Sequence, residues 1–159
     1  MHGRPLFRQT RERGFTLIEL LVVMTVAAVM MAIAVPSFRN FTAGQQVKSA
    51  SYDVTTTMLL ARSEAIKRNR PITIAPTGGD WANGWTVQDA AASPAITLGT
   101  RNQLGDLTVT GPANVVYQGN GRIGTASSFQ LTSTAVSSIV RCVKVDLTGV
   151  ASASSGACP

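Results

Sequence analysis

Residues 15–35 read Phe-Thr-Leu-Ile-Glu-Leu-Leu-Val-Val-Met-Thr-Val-Ala-Ala-Val-Met-Met-Ala-Ile-Ala-Val, 21 residues with a single charge, Glu19. As a helix rising ~1.5 Å per residue the run is about 31 Å long, which matches a bilayer's hydrocarbon core. It is apolar on every face and follows Arg4, Arg8, Arg11 and Arg13, opposed only by Glu12. A core helix of a soluble protein is the alternative, but it has no use for that basic flank. The positive-inside rule places residues 1–14 in the cytoplasm and 36–159 on the far side of the membrane. A cleaved secretory signal fits less well, because the run exceeds an ordinary apolar signal core and no small-x-small site follows it.

The rest of the composition narrows the function. The chain has 159 residues and a net charge of +6, half of it in the first fourteen residues, so the remainder is only modestly basic. One histidine, His2, and two cysteines, Cys142 and Cys158, are too few for a His/Cys metal cluster or a Cys–His nucleophile pair. No Ser/His/Asp set can be built, and no phosphate-binding glycine loop opens a helix after a strand. Neither enzymatic activity nor a cofactor is expected.

The segment Arg13-Gly14-Phe15-Thr16-Leu17-Ile18-Glu19 carries the sharper signal. Glycine gives a peptidase access to the backbone with no Cβ in the way. A carboxylate inside a membrane segment is costly and points to function. This string resembles the processing site of type IV prepilins and type II secretion pseudopilins. The resemblance implies that an inner-membrane prepilin peptidase cuts between Gly14 and Phe15 and N-methylates Phe15. Glu19 would then meet the freed α-amino group of a neighbouring subunit during assembly.

Pro36 and Gly44 weaken the helix, so a bend or local unwinding is expected near 35–44. Residues 45–69 then read as an amphipathic helix, with Val47, Ala50, Val54, Met58, Ala61 and Ala65 at three- and four-residue steps. Pro71 stops it. Lys67-Arg68-Asn69-Arg70 complements the helix dipole; anionic lipid or nucleic-acid contact is the alternative reading. From Pro71 onward short β-like runs alternate with turn signals: Pro71–Ala75, Trp85–Gln88, Ala95–Leu98, Leu107–Thr110, Val115–Gln118, Ser128–Leu131 and Ser138–Leu147. In the last run Ile139, Val143, Val145 and Leu147 share the parity expected to face the core. The fold class is α+β: one helix, membrane-inserted in its first half and amphipathic in its second, packed on an antiparallel sheet.

Leu60–Pro71 and Asp80-Trp81-Ala82-Asn83-Gly84-Trp85 are similar to the helix end and the Trp-x-x-Gly-Trp turn of the GspH/FimT group, the type II secretion pseudopilin H and related type IV minor pilins. Trp81 and Trp85 read as aromatic anchors across an Asn-Gly turn. The implied organisation is a cleaved leader over 1–14, a transmembrane and assembly helix over 15–35, and a periplasmic pilin-like domain over 36–159. In the periplasm disulfides form and persist. A Cys142–Cys158 bridge would tie the C-terminal tail to the sheet; two free thiols are the alternative. Late cysteine pairs are common among related minor pilins.

The implied function is that of a non-enzymatic minor pilin or pseudopilin, acting at the tip or in assembly initiation of a type IV pilus or type II secretion pseudopilus. Its partners would be the prepilin peptidase, other pilins or pseudopilins, and inner-membrane lipid. The alternative is a pilus-borne DNA receptor. Some DNA-uptake members of the group carry a Gly-Arg-x-Arg tract, and the counterpart here, Gly149-Val150-Ala151-Ser152, has no arginine. Arg101, Arg122, Arg141 and Lys144 remain candidates for a basic patch, with weak DNA affinity expected.

Overall fold

The computed structural model describes residues 14–159. The leader side chains His2, Arg4, Arg8, Arg11, Glu12 and Arg13 lie outside the described residues. The chain divides into two compact units at Ser37/Phe38. Helix α1, Leu17–Arg68, provides the secondary structure of the first unit and opens the second. The segment 35–44 is helical throughout, Pro36 and Gly44 included, so the anticipated local unwinding does not occur. Pro36 forfeits only one backbone hydrogen bond.

In the second unit α1 buries Ala43, Val47, Ala50, Ser51, Val54, Met58, Ala61 and Ala65. The spacing is that of one helical face. The helix ends on Asn69, which adopts φ 50° while Arg70 N–H donates to Ala65 C=O at 3.2 Å. Asparagine tolerates that left-handed C-terminal position. Helix termination at the expected place therefore comes from Asn69 as well as from Pro71.

Eight strands follow: β1 Ile72–Pro76, β2 Trp85–Asp89, β3 Ile96–Arg101, β4 Leu107–Thr110, β5 Val115–Tyr117, β6 Ser127–Ser133, β7 Val140–Val145 and β8 Ala151–Ser155. They form two antiparallel four-stranded sheets, ordered β3-β2-β1-β5 and β4-β6-β7-β8, rather than the one sheet expected. The chain leaves the first sheet after β3, builds β4 in the second, and returns through Gly111-Pro112 to lay β5 beside β1. Such non-local pairing leaves no mark in the local alternation of either strand.

One core joins these layers: α1 contributes Val47, Val54 and Met58, the first sheet Ile72, Ile74, Trp85 and Tyr117, the second Phe129, Leu131, Val143 and Val145. Leu147, expected to face this core, is half exposed. Strand β7 stops at Val145, and a turn at Asp146–Gly149 reverses the chain into β8. Gly149 sits at φ 81°, and a Cβ there would strike Gly121 C=O and the Tyr117 ring. Only glycine fits.

Tyr117 is fully buried and its hydroxyl donates to Gly149 C=O at 3.2 Å. Burial pushes its phenol up to about 12, opposed by Arg62 and reinforced by Asp146. An unfolded tyrosine ionises near pH 10. The raised folded value therefore adds stability that is complete below pH ~10 and is lost as pH rises toward ~12. Denaturation midpoints measured across that interval should fall for the wild type, and Tyr117→Phe should flatten the decline.

Candidate functional site

The N-terminal end of α1 is built as a reciprocal cap. Thr16 Oγ1 accepts from Glu19 N–H at 3.2 Å, and Glu19 Oε2 accepts from Thr16 N–H at 3.5 Å. Leu20 N–H donates to Thr16 C=O at 3.2 Å, the first helical bond. Thr-x-x-Glu is the capping-box pattern, with threonine at N-cap and the acid at N3. It satisfies two backbone donors that a helix start otherwise leaves bare. The sequence reading missed this double use of Glu19, although the Thr16–Glu19 spacing was its signal.

Gly14 and Phe15 precede the cap outside the helix and are exposed, with nothing within 4 Å of where a Gly14 Cβ would stand. Within the first unit the apolar side chains from Leu17 to Val35 stay largely uncovered, Leu17 at 82% and Val35 at 50% exposure. Glu19 is the only ionisable side chain among residues 14–35. Among the described residues no cation pairs with its carboxylate. The geometry thus presents one carboxylate beside the first helical turn of an uncovered apolar rod of lipid-spanning length.

The second candidate cluster is structural. Asp80 accepts from Ala82 N–H at 2.9 Å and so caps the tight turn Trp81–Asn83. Gly84 follows at φ 90°, where a Cβ would collide with Arg101 C=O. Trp81 and Trp85 are both buried, with ring centroids 5.9 Å apart, and Trp81 meets Phe129 edge-on at 4.8 Å. Each indole N–H is satisfied: Trp81 Nε1 by Pro112 C=O at 2.6 Å, Trp85 Nε1 by Thr57 Oγ1 at 3.0 Å. The two tryptophans therefore anchor turn, helix and both sheets, and neither ring face is free for a ligand.

The basic side chains do not gather into one patch. Arg101 reaches Asp53 at 2.6 Å. Arg68 reaches Glu64 at 2.6 Å and the buried Asp89 at 3.8 Å, while Lys67 lies 3.6 Å from Glu64. The Arg68 hydrogen bond holds the Glu64 carboxyl below its usual range against the opposing effect of burial, with help from the Lys67 and Arg68 charges. Arg141 and Lys144 sit three apart on β7 and so face opposite sides of the second sheet. Arg122 belongs to the turn at 118–122.

Cys142 and Cys158 are bonded, with Cα atoms 5.1 Å apart. Cys158 N–H also donates to Gln130 Oε1 at 3.2 Å, so the tail lies across β6. For a sequence separation of 16, loop entropy alone suggests about 3 kcal/mol. Reduction should lower the melting temperature of the protein, and thiol labelling without denaturant should find no reactive sulfur.

Comparison with known proteins agrees with this architecture. The prokaryotic N-terminal methylation motif matches residues 9–35. A fimbrial protein of Pseudomonas aeruginosa is 36% identical over 69 residues, 43% of this chain and 44% of that protein. The type IV major pilin protein PilE1 of Neisseria gonorrhoeae is 42% identical over 41 residues, 26% of this chain and 25% of its own. The chain thus spans less than half the length of these relatives. The crystal structure of the type IV minor pilin FimU of Pseudomonas aeruginosa superposes with a TM-score of 0.61 over 72% of this chain and 92% of that one, at 22% identity, and so shares the fold. The type II transport protein GspH family matches residues 50–149. A methylation motif leading into an apolar helix, a helix packed on two antiparallel sheets, and a match across most of the domain lead to one conclusion: the chain belongs to the GspH family of pilin-like proteins.

Proposed function

We propose that this chain is a non-enzymatic minor pilin or pseudopilin, anchored in the inner membrane by residues 15–35 until it joins a short filament. The observation that carries the reading is the N-terminal site. Gly14-Phe15 stands exposed ahead of a capped helix whose uncovered apolar surface holds a single carboxylate, Glu19. Residues 1–14 act as a leader facing the cytoplasm, prepilin peptidase is the processing partner, and Phe15 is the methylated residue. Residues 36–159 form the periplasmic domain, and other pilins or pseudopilins are the assembly partners. No grouping among the described residues specifically favours the DNA-receptor alternative, because the candidate cations are dispersed or already paired.

Processing is the direct test. Co-expression with a prepilin peptidase should shorten the chain by its first 14 residues and leave N-methylated Phe15 as the terminus, read by intact mass and N-terminal sequencing. Gly14→Leu should remain uncut, since a branched side chain obstructs the backbone approach that glycine allows. A mature terminus in the 30s would replace this reading with ordinary signal-peptide removal.

A further inference from the structure

Residues 38–41 open the second unit, and among the described residues nothing covers them. Phe38 is 66% and Phe41 62% exposed, Arg39 and Asn40 are exposed as well, and the first buried side chain of α1 is Ala43. At ~3.6 residues per turn Phe38 and Phe41 share one side of the helix, while Arg39 points about 160° away from Phe41. No single flat partner can touch the rings and the guanidinium together. A medium that surrounds the helix can.

The charges suit an anionic medium. Between Glu19 and Asp53 the chain holds no acidic residue, only Arg39 and Lys48. Asp53 is taken by Arg101, and among the described residues no carboxylate pairs with Arg39 or Lys48. The local hydroxyl makes no further demand. Thr42 Oγ1 donates back along the helix to Phe38 C=O at 3.1 Å and to Arg39 C=O at 3.0 Å.

We propose that residues 38–41 form a collar seated in the lipid headgroup layer on the periplasmic side, with Phe38 and Phe41 against the upper acyl chains and Arg39 on lipid phosphate. The proposal rests on the reading of residues 15–35 as a membrane span. Phe38 lies three residues past Val35, about 4.5 Å of helix, and Phe41 six residues past it, about 9 Å. A headgroup layer is about 5–7 Å thick on each side of the hydrocarbon core. Side chains on a helix lean toward its N-terminus, which here means toward the bilayer, so both rings dip into that layer. Aromatic side chains gather at this depth, and a long arginine keeps its head among the phosphates while its stem stays apolar. The collar thus sets the depth at which the span stops, and the globular domain begins beyond it at Ala43.

Quenching of tryptophan emission by brominated phosphatidylcholine tests this, with the full-length chain in phosphatidylcholine vesicles. Trp81 and Trp85 are buried in the core, so wild-type emission should not change and the added tryptophan is read by difference. Phe38→Trp and Phe41→Trp should lose more emission to bromines near the headgroup end of the acyl chains than to bromines near their methyl ends. Met24→Trp, in mid-span, should show the reverse order. Leu59→Trp is exposed on α1 about five turns past Phe41 and should lose none to either. If brominated phosphatidylglycerol is the minority lipid, Phe38→Trp should be quenched as though it were about fivefold enriched, the local excess that one arginine commands at an anionic surface. Arg39→Gln should return that quenching to the bulk value. If Met24→Trp is quenched and Phe38→Trp is not, the collar is overturned while the span stands. If Met24→Trp is not quenched, the span fails and the collar falls with it. Equal quenching of Leu59→Trp and Phe38→Trp also overturns the collar, since the domain itself would then lie on the lipid. An excess that survives Arg39→Gln overturns the phosphate contact.

Discussion

Replacing Glu19 with valine should leave the protein in the membrane and keep it out of the filament. The substitution makes residues 15–35 more apolar, so insertion is undisturbed. What disappears is the carboxylate that would face the α-amino group of a neighbouring Phe15. Truncating one member of a desolvated charge pair costs about 2–5 kcal/mol, so incorporation should fall by roughly 30-fold or more. Part of any loss would come from the helix cap, because Glu19 also holds Thr16 N–H. Thr16→Ala isolates that part: it removes the reciprocal hydroxyl for about 1 kcal/mol and spares the charge. The readout is the ratio of subunit in sheared filaments to subunit in membranes, in a strain carrying only the variant. Wild-type incorporation of Glu19→Val would eliminate the charge-pair role.

The largest loss of stability should follow from Trp85→Ala. The indole is fully buried between α1 and the strands, lies tilted against Trp81, and donates to Thr57 Oγ1. Removing it leaves a cavity in the centre of the core and takes the indole donor from Thr57 Oγ1, which keeps only its own bond to Asp53 C=O. Large-to-small changes of this kind cost about 3–5 kcal/mol, against a total domain stability of about 5–15 kcal/mol. Melting should drop by about 10 °C or more. Limited proteolysis of membranes bearing the full chain, across a temperature series, would record the shift. Trp85→Phe retains much of the buried area and should lose clearly less. Equal protease resistance of Trp85→Ala and wild type would mean that the tryptophan cluster is not the keystone of the domain.

Much of this architecture was legible locally. The buried face of α1 follows the three- and four-residue spacing of Val47, Ala50, Val54, Met58, Ala61 and Ala65. The strands with β-branched or aromatic residues lie close to where alternation places them, and β4 coincides with its expected run. Strand β8 was invisible because Ala-Ser-Ala-Ser-Ser has no strand preference; its register comes from β7 and the disulfide. The division into two sheets was equally hidden, since it depends on which distant strand β5 meets. At the N-terminus the motif gave the residues, and the structure added the capping geometry that Thr16 and Glu19 share. On the basic side chains the sequence gave positions only. That Arg101 is spent on Asp53, and that Arg141 and Lys144 turn to opposite faces, follows from pairing across the fold.

A terminal strand is ordinarily where a sheet begins to unzip, because its last residues can leave one at a time. Here Cys158 is tied to Cys142, so the end of the chain cannot depart without β7. Strand β7 is itself clasped between β6 and β8. The smallest piece able to open at this end is therefore a whole hairpin, together with the buried Val143 and Val145 it carries. Fraying by single residues gives way to an all-or-none event, in which the disulfide makes a closed loop of what would otherwise be a loose thread.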